Sequence, residues 1–189
     1  MTCSAVEPVK LARARRQVFL ALFIAVAVSL HVAETLLPSP VPWFRLGLAN
    51  IMTLAALYLY GGRAAWTVSL ARVGIGALIL GRLFSPGFWL ALAGVILATS
   101  AMIMVYRLAD GRLSPVGVSA LGAAGHALGQ VLAARVLIIQ HEAVWQILPL
   151  FLLFTIFSGV LTGWLAALLL EELGKHPAFL SADGESVDQ

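Results

Sequence analysis

The residues of this sequence that could do chemistry are a few polar side chains inside long apolar segments. Arg72 lies near the middle of one such segment, and Ser119, Gly122, His126 and Gln130 follow one another on another at spacings of three and four. Residues at these spacings share one face of a helix. A charge at the centre of a bilayer costs at least ~2.5 kcal/mol, so such residues face protein, ligand or water. The pattern predicts a polar site inside a bundle of membrane helices.

Two interpretations of this polar site stay open from the sequence alone. Arg72 could bind an anionic ligand, or it could pair with Glu34, which shares a helix face with His31 at a spacing of three. The polar face of the other segment is consistent with hydrogen bonds between helices and with ligand binding. Arg135 lies nearly opposite that face and near a segment end, where it would reach the membrane surface, so it is not a site candidate.

No pattern typical of an autonomous enzyme occurs in the sequence. There is no nucleotide-binding loop, no metal cluster, no catalytic triad and no aspartate-rich pair of the kind that holds magnesium and diphosphate in prenyl-chain synthases. The single cysteine, Cys3, excludes an intramolecular disulfide and a zinc site built from several cysteines. We therefore predict no catalytic residue, no metal and no cofactor, and we disfavour an enzyme.

The composition indicates which elements must position the polar residues. Of the 189 residues, 61% are hydrophobic and 11% are charged, whereas soluble domains have about 25% charged residues. A soluble globular protein is therefore excluded. The apolar content is enough for about six helices of ~20 residues, the length that crosses a ~30 Å hydrocarbon core. Because the net charge is only +3 and the basic residues are spread between the apolar segments, we expect membrane lipid and not nucleic acid around the chain.

The chain divides into three parts. We predict that residues 1–16 are a basic cytoplasmic N-terminus, that residues 17–172 form an all-α domain of six transmembrane helices, and that residues 173–189 are a disordered cytoplasmic tail. The predicted spans cover residues 17–33, 46–60, 64–80, 87–108, 115–139 and 145–170. Lys and Arg fall mostly on one side of this arrangement, which places both termini in the cytoplasm. The second span is short, which indicates tilt or partial burial.

Small residues mark two candidate packing faces. Ala21 and Ala25 are four residues apart in the first span, and Gly159 and Gly163 form a GxxxG motif in the sixth. Small residues at this spacing let a second helix approach closely, either within the chain or from a partner. The sequence does not decide between the two.

Several short stretches together resemble a known membrane family. They are Pro-x-Pro-x-Pro at residues 38–42, Arg45-Leu-Gly-Leu-Ala-Asn50, Ala71-Arg72-Val-Gly, Ser85-Pro86-Gly-Phe88 and Gly125-His126-Ala-Leu-Gly129-Gln130. The family is known as the Gx transporter family and also as heptaprenyl diphosphate synthase component I, and the resemblance covers about residues 17–172. The family is similar in turn to the S components of energy-coupling factor (ECF) transporters, which are their substrate-binding membrane subunits.

The resemblance implies a six-helix bundle with a ligand pocket toward the outer side, lined by the first loop and later helices. It also implies a transmembrane coupling subunit that contacts small residues of the first helix, here Ala21 and Ala25, and separate ATPase subunits that hydrolyse ATP. The predicted ligand-binding residues are Arg72, His126, Gln130, Glu34, His31, Asn50 and Arg45.

The predicted function is that of an integral, multi-pass substrate-binding subunit of an ECF-type transporter for a small molecule, in the cell's inner (plasma) membrane. The alternative is a non-catalytic membrane accessory of heptaprenyl diphosphate or quinone synthesis that holds a lipid-like intermediate. A third interpretation makes the polar faces internal contacts of a membrane anchor.

Overall fold

Six helices joined by turns make up the described part of the chain. A computed structural model describes residues 6–36 and 47–175. Its helices are α1 (Val6–Leu36), α2 (Asn50–Tyr60), α3 (Gly62–Ile79), α4 (Pro86–Leu108), α5 (Pro115–Leu137) and α6 (Val144–Lys175). The predicted ligand-binding residue Arg45, the prolines before it and the greater part of the predicted disordered tail lie outside the described residues. The all-α fold class and the order of six helices predicted from the sequence are confirmed, but the predicted number of six transmembrane spans is not: four of the described helices qualify as membrane spans.

Two of the helices begin with the same local signal. Ser85 precedes α4 and Ser114 precedes α5, and each is followed by a proline at the first helical position. Each serine hydroxyl accepts a hydrogen bond from a backbone N–H three residues on, at 3.2 Å for α4 and 3.4 Å for α5. A serine N-cap followed by proline is a favoured helix start, because proline lacks the N–H group that would otherwise need a partner there.

Four of the helices are long and apolar enough to cross a membrane by length and composition: α1, α4, α5 and α6. Helix α2 has only 11 residues, which is about 16 Å at 1.5 Å per residue and short of the ~30 Å hydrocarbon core. Its residues from Met52 to Leu57 are all buried. The short second span predicted from the sequence therefore corresponds to α2. This helix is buried inside the bundle, where α1, α3 and α6 enclose it.

Glycines allow the later helices to pack closely. A Cβ atom built on Gly129 of α5 would lie 2.5 Å from the carbonyl oxygen of Ala93 in α4, and one built on Gly163 would lie 2.6 Å from Cα of Val116 in α5. Gly159 likewise faces the α5 backbone. The GxxxG motif of α6 thus packs against α5 within the chain, with the close backbone approach that small residues permit.

Candidate functional site

A cavity of about 110 Å³ lies inside the bundle, where all six helices contribute to its wall. The polar side chains that line it are His31, Glu34, Asn50, Arg72, His126, Gln130, Thr155, Ser158 and Thr162. Six of the seven ligand-binding residues predicted from the sequence are among them, and the seventh, Arg45, lies outside the described residues. The fold therefore brings together residues from α1, α2, α3 and α5 that are far apart in the chain.

Arg72 is the buried cation of this cavity. It lies on α3 with only 8% of its surface exposed. One turn earlier, Ser69 accepts a hydrogen bond of 3.1 Å from the hydroxyl of Thr99 on α4, so α3 is tied to α4 beside the arginine. Arg72 itself lines the cavity, and a charged side chain in a membrane protein is tolerated where it faces the interior of the bundle.

Glu34 has a structural contact that the sequence did not reveal. Its carboxylate accepts a hydrogen bond of 2.5 Å from the backbone N–H of Leu48, in the turn that leads into α2. Helix α2 begins after Ala49, which provides no side-chain cap. A carboxylate at this position stabilises the positive end of the helix dipole. Glu34 therefore links the end of α1 to the start of α2 while lining the cavity.

Both cavity histidines pack against glycines of neighbouring helices. A Cβ atom built on Gly76 of α3 would lie 2.6 Å from Cδ2 of His31, and one built on Gly94 of α4 would lie 2.7 Å from Cε1 and 2.8 Å from Nδ1 of His126. Real Cβ contacts are not this short, so both imidazole rings occupy space that any other residue type would fill. Sequence reasoning missed Gly94 altogether, because no pattern in one sequence relates it to His126.

The predicted polar face of α5 divides into two parts. Toward the start of the helix, the buried hydroxyl of Ser119 shares a hydrogen bond of 3.2 Å with that of Thr162 on α6. Further along, His126 and Gln130 line the cavity. Hydrogen bonding between helices therefore accounts for Ser119, whereas the wall of the cavity accounts for the position of His126 and Gln130.

Met102 is buried next to the cavity, where it contacts two residues of the cavity wall. It follows one turn after Ala98, which lines the cavity on α4, and only 1% of it is exposed. The amide of Asn50 lies 3.9 Å from its sulfur atom, and a Cβ atom on Gly122 would lie 2.5 Å from its Cγ. A flexible thioether filling an irregular gap is a common use of methionine. Met102 thus fills the space between α2, α4 and α5 next to the cavity.

A smaller cavity of about 70 Å³ adjoins the first one. It lies between α1, α3 and α4, and it is lined in part by Thr35, Arg82 and Phe88. Arg82 was not a site candidate from the sequence, because it follows the predicted span 64–80 and lies in the segment between two spans.

The predicted partner-contact residues lie on the outer surface of α1. Ala21 and Ala25 are exposed, and the neighbouring residues Phe23, Ala27 and Val28 are buried against the bundle. The two alanines are therefore not used for packing within the described part of the chain. Their contact with a coupling subunit stays a prediction.

A comparison with known families supplies a match over the whole region that contains the cavity. The model of the family described as "Heptaprenyl diphosphate synthase component I" matches residues 23–169, which is more than half of the chain. No curated protein and no solved structure matches this chain.

Proposed function

Because the chain belongs to the heptaprenyl diphosphate synthase component I family, we propose that this membrane protein binds a small molecule in its central cavity and is the substrate-binding subunit of an ECF-type transporter. The observation that carries the proposal is the convergence of Arg72, His126 and Gln130 on one cavity inside an apolar bundle. Polar and charged groups at membrane depth are costly, and in transport proteins they line substrate pathways.

In this proposal the cavity residues have two kinds of role. Arg72, His126 and Gln130 contact the ligand. His31, Glu34 and Asn50 organise the pocket, since Glu34 fixes the start of α2 and His31 packs on α3. The ligand enters from the outer side of the inner (plasma) membrane, and both termini are cytoplasmic.

In this proposal, other subunits couple transport to ATP hydrolysis. The sequence contains no nucleotide-binding loop, so ATP hydrolysis is assigned to separate ATPase subunits. The exposed small residues Ala21 and Ala25 of α1 would contact the transmembrane coupling subunit, because small side chains let two helices approach closely in a membrane.

The family description favours one alternative, a non-catalytic component of prenyl diphosphate synthesis. The cavity limits what such a component could hold. An apolar cavity of about 150 Å³ accommodates one benzene ring, so a cavity of about 110 Å³ accommodates a small molecule or a polar head group but not a long prenyl chain. The size of the cavity therefore supports capture of a small molecule.

Mass spectrometry of molecules that co-purify with the detergent-solubilised protein tests the proposal. We expect a water-soluble metabolite with the wild type that is lost from Arg72→Gln and His126→Gln. Arg135→Gln is the matched control, because Arg135 pairs with Glu142 at 2.6 Å near the end of α5 and does not line the cavity. A prenyl compound in place of the metabolite would support the alternative, and a metabolite retained equally by all variants would contradict the assigned site.

A further inference from the structure

The smaller cavity continues the central one toward the turn between α3 and α4. Both cavities are lined by His31, Val73 and Ala91. Beyond these shared residues, the smaller cavity reaches Arg82 and Ser85, which belong to the turn that precedes α4. The two cavities together therefore extend from Arg72 inside the bundle to the end of the bundle where this turn lies.

A positively charged residue lies at each end of the two joined cavities. Arg82, an exposed residue, is the only Lys, Arg, Asp or Glu among the described residues that line the smaller cavity. Arg72 lies at the inner end, in the wall of the central cavity. The acidic residue of the central cavity is Glu34, which also accepts the N–H of Leu48 at the start of α2. Two arginines and one glutamate line the two cavities, so the charges of these three residues sum to +1.

The apolar walls between the two arginines strengthen the electric field that their charges produce. Val73, Ala77, Leu80 and Phe88 are apolar and line the smaller cavity. A cleft with charges of one sign and walls of low dielectric constant concentrates the field and raises the local concentration of ions of opposite charge. A volume of about 70 Å³ restricts the route to small molecules.

We propose that the smaller cavity is the entry route to the central cavity and that it selects a small anion, whose carboxylate or phosphate group is attracted by Arg82 and bound by Arg72. This inference rests on the proposed function, since it names the ligand class of the same central site. It goes further in assigning Arg82 to ligand entry and in fixing the sign of the ligand's charge.

Thiol labelling tests the route and its charge without knowledge of the natural ligand. Cys3→Ser removes the only cysteine, and Ala91→Cys places one thiol where the two cavities meet. The full chain in detergent is treated with an anionic sulfonatoethyl and a cationic trimethylammonioethyl methanethiosulfonate. Gln140→Cys, exposed in the turn after α5, is the reference thiol. Thr35→Cys, in the wall of the smaller cavity alone, is a second reporter in case the first variant does not fold.

We expect the ratio of anionic to cationic labelling rates at Ala91→Cys to exceed the ratio at Gln140→Cys by about tenfold, the lower end of the range for electrostatic focusing. Arg82→Gln should reduce the difference, and Arg135→Gln should not. A ratio at or below the reference value overturns the selection of anions. Failure of both reagents to reach the two cavity thiols, while the reference thiol reacts, overturns the entry route.

Protection from labelling identifies the anionic group. Inorganic phosphate and succinate are added at equal ionic strength, with chloride as the control. Protection by phosphate or by succinate, lost in Arg72→Gln, assigns the group; protection by neither overturns Arg72 as the binding residue for an anion. If the co-purified metabolite is neutral or cationic and depends on Arg72, this inference fails while the proposed function stands. If nothing co-purifies and nothing protects, both fail.

Discussion

Replacing Gly94 by alanine should displace His126 and thereby weaken ligand binding, while the protein stays folded. The added methyl group would lie 2.7 Å from Cε1 and 2.8 Å from Nδ1 of the imidazole ring, and 3.0 Å from Cγ of Gln130. Optimal carbon contacts are about 3.5 Å or longer, so the ring must move by roughly 0.8 Å. Two of the three side chains proposed to contact the ligand, His126 and Gln130, would therefore shift away from α4.

The expected costs to folding and to binding overlap in size, so the two have to be measured separately. Overpacking of this kind costs about 1–3 kcal/mol, whereas alanine in place of glycine within a helix stabilises by about 0.5–1 kcal/mol. The net loss of stability is then about 0–2.5 kcal/mol. Loss of one well-placed hydrogen bond to a charged ligand costs about 1.5–3 kcal/mol, which is roughly a 10- to 150-fold increase in Kd.

Thermal unfolding in detergent and titration with the co-purified metabolite provide the two measurements. Gly74→Ala is the matched control, because a Cβ atom at that position of α3 meets nothing within 4 Å; it should stabilise the protein and leave Kd unchanged. Adding His126→Ala to Gly94→Ala should recover stability but not binding. Unchanged Kd in Gly94→Ala, or stabilisation equal to that of Gly74→Ala, would refute the described packing of His126 on α4.

Three further predictions concern other parts of the molecule. Glu34→Ala should destabilise the protein by about 1–3 kcal/mol, because it leaves the N–H of Leu48 without its acceptor, while Glu34→Gln, which keeps an oxygen there, should cost less in the same unfolding assay. Ala25→Leu should prevent co-purification with a coupling subunit without altering the melting temperature, since the side chain is exposed; Val160→Leu on the exposed surface of α6 is the control, and a lower melting temperature would show that Ala25 packs internally. Reporter fusions after Gly62, Asp110 and Gly174 should report the cytoplasm and fusions near Ser39, Ser85 and Glu142 the outside; a cytoplasmic signal at Glu142 would contradict the proposed topology.

The helices could be predicted where local signals mark their ends. Predicted spans 87–108 and 115–139 lie close to α4 (Pro86–Leu108) and α5 (Pro115–Leu137), because serine followed by proline is a helix start that depends only on neighbouring residues. The start of α2 had no such signal. Its stabilising carboxylate comes from Glu34, on a different helix, and contacts of that kind depend on the tertiary fold.

The candidate site could be predicted only in part, for the same reason. The high cost of a charge at membrane depth was enough to direct attention to Arg72, and helical spacing was enough to group His126 with Gln130. Neither argument shows which polar residue meets another helix. Ser119 shares the α5 face with His126, yet it hydrogen-bonds to Thr162 because α6 lies opposite it at that depth. The entry role proposed for Arg82 likewise needed the position of the smaller cavity.

The short buried helix α2 has a consequence for how the protein is made. The translocon recognises apolar segments of about 19 residues, and α2 has 11, so it is too short to be inserted on its own. Helix α3, which follows directly, contains Arg72 and is weakened as an independent insertion signal by that charge. We therefore expect α2 and α3 to enter the membrane as a paired hairpin, joined through Gly61. Helix α6 follows the other described helices in the chain and encloses α2, so we expect the central cavity to be completed only after α6 has been translated.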